Sequence, residues 1–161
     1  MKKLAIPILL VLAGIAVAAV NDFTLGSLWT NLGWRKPVAD WLLSIGLSPP
    51  VAGWWSVMWI KLPDWAVALL CGVPIGLFAA PTKWTRFAFC FGAGLVLYPG
   101  YFAVSYCLRL MDYDSSLAFG TFWRLLALNV VSLFLLFLSA WIFRRGGGQP
   151  VVVDAKPTVA S

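Results

Sequence analysis

The stretch PPVAGWWSVMWIKLPDW, Pro49–Trp65, decides how this chain folds. It carries Trp54, Trp55, Trp59, Trp65 and Met58, and its only charges are Lys61 and Asp64. It is too apolar for a free loop. Two readings compete. In one, Pro63 opens a membrane span, and the residues before it form a separate amphipathic helix on the membrane surface. In the other, Val51–Ala80 is one long tilted helix. Pro63 has no amide hydrogen and Lys61 carries a charge, and both disfavour the interior of a helix in lipid. The first reading is therefore the expectation. Val51, Trp54, Trp55, Met58 and Leu62 recur at helical spacing, and Asp64 suits the positive N-terminus of a span beginning at Pro63.

The rest of the chain places this segment in a bilayer. Of the residues, 61% are hydrophobic and 11% charged, against roughly 25% charged in a soluble domain. Mean hydropathy is +0.88. A spanning helix needs about 20 apolar residues, with about 17 as the lower limit. Leu4–Val20, Asp64–Ala80, Phe87–Cys107 and Phe122–Phe143 qualify. None has an ionisable side chain at its centre; Asp64 and Arg124 lie at span ends. The expected fold is an all-α, polytopic membrane bundle of four transmembrane helices, forming a single domain over residues 1–143. The first span also has the layout of a signal peptide, with MKK before an apolar run and a small-residue site near Ala18. Retention as a transmembrane helix is the expectation.

Seven of the ten tryptophans fall between Asn21 and Trp65. Within residues 21–63 helical spacing occurs three times. Leu25, Leu28, Trp29 and Leu32 form the first set. Val38, Trp41, Leu42 and Ile45 form the second, with Pro37 at its start and Gly46 as its stop. Val51–Leu62 is the third. Each is too short to span. An indole buries its flat ring and keeps its N–H among head groups. A Trp-rich interfacial helical cap between the first two spans is thus expected. Trp29, Trp41, Trp54, Trp55, Met58 and Trp59 would face the membrane interface, a partner, or the bundle's own mouth.

Charge sets the expected orientation. Basic residues collect on the cytoplasmic side of short loops. With the N-terminus inside, Lys2, Lys3, Lys83, Arg86, Arg144, Arg145 and Lys156 lie on the inner side against Asp154 alone, and the outer side balances. The net charge of +6 is then a topology signal, not a nucleic-acid footprint. This predicts a bacterial inner membrane protein with both termini cytoplasmic. Residues 144–161, with glycines, prolines and no helical period, are expected to be a disordered cytoplasmic tail.

Small residues mark packing faces. Gly72 and Gly76 form a GxxxG pair, and Ala88 and Gly92 a second small pair. Small residues let backbones approach closely in lipid. The short turn PTKWTR, 81–86, predicts that the second and third spans pack on each other. Pro74 and Pro99 should kink these two helices.

Chemistry is sparse. There is no His, and every acidic residue is Asp, so the usual general acid–base groups are missing. Cys71, Cys90 and Cys107 are isolated within apolar runs and read as buried small hydrophobes. Asp112 and Asp114, beside Ser115 and Ser116, are too few for a Ca²⁺ site and read as helix caps. No catalytic residue, metal site or cofactor is expected. The leading expectation is a non-enzymatic accessory or scaffold subunit, bound in the lipid bilayer to a larger membrane protein or to copies of itself. The alternative is a small transporter, channel or lipid-handling protein, with a conduit between the kinked second and third spans.

Overall fold

A computed structural model describes residues 2–33, 35–80 and 82–146. Residues 147–161, most of the tail expected to be disordered, lie outside the described residues. The chain forms α1 (Lys2–Asn21), a π-helical turn (Asp22–Gly26), α2 (Ser27–Asn31), α3 (Arg35–Ser44), α4 (Pro49–Phe78), α5 (Trp84–Met111) and α6 (Ser115–Gly146). No strand occurs among the described residues. Four helical segments are long and apolar enough to cross a membrane: Ala5–Trp29, α4, α5 and Ser115–Arg144. The protein is an all-helical, multi-pass membrane protein in architecture.

The opening stretch departs from expectation. Pro63 does not begin a span; α4 runs straight through it. At 1.5 Å per residue α4 is about 45 Å long, against about 30 Å of hydrocarbon. Both objections to a continuous helix are answered locally. Proline at 63 deprives the Trp59 carbonyl of its helical donor. The Trp29 indole N–H donates to that same carbonyl at 3.0 Å, and the two indoles stack at 5.4 Å. Lys61 is paired with Asp64 at 2.7 Å, one turn along the helix. So the residues expected to form a detached interfacial helix are the N-terminal half of α4. At the other end α6 extends to Gly146, which draws residues 144–146 out of the tail and into the helix.

The first two short helical pieces appear as the π-helical turn with α2, and as α3. Gly46, at φ +88, ends α3 in the left-handed region that glycine adopts without strain. Helix α3 folds back onto α4, burying Leu42 and Ala52.

The long helices do not pack in chain order. Helices α4 and α5, joined by the short turn, barely touch; α6 lies against both, and α1 lies against α5. The small-residue faces explain this. A side chain on Gly72 would meet the Leu136 carbonyl and Ser139, and one on Gly76 would meet Ala140. One on Gly92 would meet Leu133 and Leu136. Both faces are therefore turned toward α6, not toward each other as the short turn suggested. Ala88 is fully buried. Helices α1 and α5 approach through Gly14 and Gly94, whose backbones touch. The contacts Trp65–Leu128, Gly72–Leu136 and Gly76–Ala140 advance together, so α4 and α6 run parallel. Asp22 lies near Tyr98 while Gly14 meets Gly94, so α1 and α5 also run parallel.

Leu136 stands at the centre with no exposure, packed with Ala68 and Leu95. Val17, Cys71 and Phe91 surround it. Hydrogen bonds reinforce the α4–α6 pair: Ser139 Oγ donates to the Leu69 carbonyl at 2.7 Å, and Trp65 Nε1 to the Leu128 carbonyl at 3.3 Å. Elsewhere the long helices present apolar side chains outward, among them Leu70, Phe78, Phe89 and Phe134. A lipid-facing surface needs this.

Candidate functional site

The weak α1–α4 seam leaves a cavity of about 510 Å³ beside the core. All four long helices contribute. Asn21 closes α1 and Asp22 opens the π-helical turn. Helix α4 turns Val57, Lys61, Asp64 and Val67 inward, a run at helical spacing. Helix α5 supplies Tyr98, Pro99 and Tyr106; helix α6 supplies Thr121, Arg124, Asn129 and Ser132. Leu95 belongs to both the core and the cavity, and so forms its floor.

Depth follows from helix rise. Tyr98 is about 16 Å along the axis from Phe87, and Ser132 the same distance from Phe143, at 1.5 Å per residue. Both sit near the middle of a hydrocarbon layer about 30 Å thick. Lys61, Arg124 and Tyr106 lie nearer the end of the bundle where α1 finishes and α6 begins. The cavity therefore reaches from mid-membrane toward that end.

Its polar groups are linked. Asn21 is 5% exposed. Its amide nitrogen donates to Asp64 Oδ1 at 2.6 Å, and Lys61 Nζ donates to Asp64 Oδ2 at 2.7 Å. A carboxylate only accepts, so the Asn21 nitrogen must face it. That leaves Asn21 Oδ1 buried without a donor. Asp22 lies close to the Tyr98 hydroxyl and makes no ion pair among the described residues. Arg124 also makes none; its guanidinium lies over the Trp54 ring at 5.2 Å. Asn129 and Ser132 are 5% and 8% exposed. Pro99 deprives the Leu95 carbonyl of its helical donor, on the helix face that both residues present to the cavity. Ionisable and polar groups at membrane depth are expensive and mark substrate or ion pathways.

The residues singled out from sequence lie mostly outside this cavity. Trp29 and Trp59 stack on each other. Trp54 lies at its edge, under Arg124. Met58 is half-buried on α4, while Trp55 and Trp41 are 52% and 60% exposed. Gly72, Gly76 and Gly92 hold α4 and α5 against α6, below the cavity. The polar set was missed because Asp64 and Arg124 were read singly, as span-end charges, and not together with the amides that face them. One signal was legible: Thr121, Arg124, Asn129 and Ser132 fall near one face of an otherwise apolar helix. The Asn21–Asp64 bond spans distant parts of the sequence and left no such pattern.

At the same end of the bundle, Asp114 Oδ1 accepts hydrogen bonds from the Ser116 hydroxyl and the backbone amides of Ser116 and Leu117. It caps α6, and these bonds hold its carboxyl below the ordinary aspartate value, the Ser116 hydroxyl contributing most. Among the described residues no group of three or more metal-ligating side chains comes together. Comparison with models of protein families, with curated proteins and with solved structures finds no match.

Proposed function

We propose that this protein is a non-enzymatic, ligand-binding membrane protein of the transport or lipid-handling class. The observation that carries this reading is the cavity itself. It holds Lys61, Asp64, Asp22 and Arg124 among membrane-spanning helices, and its volume of about 510 Å³ falls within the range of small-molecule sites. The conduit lies among all four long helices rather than between α4 and α5 alone. We place the protein in a bacterial-type inner membrane with both termini cytoplasmic, because the surplus of basic over acidic residues lies at one end of the alternating helices. The cavity then faces the outer side. The indoles of α3 and the first half of α4 would lie at the outer interface, as a Trp-rich rim to its mouth.

The test is recovery of a bound molecule. Full-length protein is extracted from native membranes, and small molecules released from it are identified. A compound should be present near one per chain, and should be lost when a ring is built into the cavity from its wall residue Ala103 on α5, as Ala103→Phe. A wild type carrying nothing beyond the lipids retained by Ala103→Phe would overturn this reading. The scaffold reading keeps one specific support, the exposed rings of Trp41 and Trp55. A larger protein recovered at equal stoichiometry, and lost from Trp41→Ala with Trp55→Ala, would favour it.

A further inference from the structure

The geometry points to the occupant: an aminophospholipid, which enters sideways between α1 and α4 and lodges its head group in the cavity. This rests on the ligand-binding reading above and adds the ligand's chemistry. Three observations carry it.

The first is the pairing of charges. Within the cavity Asp64 is already satisfied by Lys61 and Asn21. Two charges of opposite sign, Arg124 and Asp22, have no ionic partner among the described residues, and both are exposed and so open to an incoming ligand. A ligand matching both must carry an anion and a cation. A guanidinium fits a phosphate, and Lys61 keeps N–H donors to add to it.

The second is the orphaned acceptor. Asn21 lines the cavity, is 5% exposed, and has no donor for its Oδ1. A buried acceptor left unpaired is costly. Next to it in the chain is the Asp22 carboxylate, which also only accepts. This end of the cavity thus asks for hydrogen-bond donors as well as positive charge. A primary ammonium has three; a quaternary one has none.

The third is the side opening. A second cavity of about 310 Å³ lies along the α1–α4 seam, walled by Ala16, Val17, Val20, Leu25 and Val67. Its lining is almost wholly apolar. Asn21 and Val67 line both cavities, so the polar chamber and the apolar slot adjoin. Val20 and Leu25 are also exposed on the outer surface of the bundle, where lipid tails lie. A water-soluble zwitterion has no use for such a slot, whereas an acyl chain fits it.

The experiment uses full-length protein, delipidated in detergent and mixed with phosphatidylethanolamine, phosphatidylcholine or phosphatidylglycerol of identical chains. Native mass spectrometry counts retained lipid, and free phosphoethanolamine serves as competitor. Wild type should retain one phosphatidylethanolamine and prefer it over the other two about tenfold, the loss expected for one charge-assisted hydrogen bond. Asp22→Asn should abolish the preference over phosphatidylglycerol. Arg124→Gln should weaken all three. Val20→Trp, a change at a lipid-exposed position, should weaken lipid retention by obstructing the slot. All three variants should elute and melt as wild type does. Equal retention of the three lipids by wild type overturns the proposal, as does a preference that survives Asp22→Asn. Displacement of the lipid by equimolar phosphoethanolamine would assign the cavity to a soluble compound and also overturn it. Recovery of a non-lipid molecule from native membranes would sink this inference while leaving the ligand-binding reading intact.

Discussion

Proline at 63 and tryptophan at 29 are one device. The proline removes a backbone donor and the indole replaces it, although the two are far apart in sequence. The prediction is a coupling. Trp29→Phe keeps a ring but removes the indole donor to the Trp59 carbonyl, and should cost about 0.6–1.7 kcal/mol, the range for hydrogen bonds within membrane proteins. In a Pro63→Ala background the alanine amide can bond that carbonyl, so the same change should cost much less. Reversible unfolding in bicelles measures all four corners of this cycle; additive effects would refute the pairing. This is also where sequence reasoning stopped. A proline beside a lysine argues for a helix start unless their distant and local partners are known. Trp29 supplies one and Asp64 the other, and only the latter was within sight of helical spacing. Asp114 gives a second prediction at this scale. Its carboxyl is held below the ordinary value, so its capping contribution is complete above the normal aspartate range and is lost as pH falls through its lowered pKa. Amide exchange at Ser116 and Leu117 should accelerate across that acid window, and Asp114→Asn should remove the dependence.

Among elements, the glycines divide by what faces them. Gly94 of α5 has the backbone of α1 against it, whereas Gly100, on the same helix, has nothing within 4 Å. Gly94→Leu should separate α1 from α5 and lower the melting temperature in detergent sharply. Gly100→Ala should be neutral or stabilising, by up to about 1 kcal/mol from the gain in helix propensity. If both changes are equally harmful, the assignment of α1 to this face of α5 is wrong. The spans themselves were legible, because apolar length is a local property. The small-residue faces were legible too, since Gly72 and Gly76 or Ala88 and Gly92 repeat at helical spacing. Their partner was not. A short turn brings α4 and α5 near each other, yet it cannot show that both faces look toward a helix made later. The cation–ring contacts at the two ends of α6, Arg124 on Trp54 and Arg144 on Trp84, likewise depend on that placement.

Taken whole, the molecule puts its unbalanced basic residues, Lys2, Lys3, Lys83, Arg86 and Arg144, at one end and its cavity toward the other, where acids and bases balance. Reporter fusions test this directly. A fusion after Arg86 should be active only as a cytoplasmic reporter, and one after Asp114 only as an external one. The reverse pattern would turn the cavity toward the cytoplasm and undo the expectation of a lipid site in the outer leaflet. The crossed arrangement of helices also has a consequence in time. Helix α4 leaves the ribosome before α5, and α5 before α6, yet α4 has almost no surface for α5. Until α6 is made, the glycine faces of α4 and α5 can rest only against lipid or against a neighbouring chain. The last long helix to be synthesised is the one that joins the two earlier ones. Assembly therefore cannot keep pace with synthesis; it waits, and a nascent chain halted after Met111 is an unfinished bundle of three long helices whose sticky faces are open to strangers.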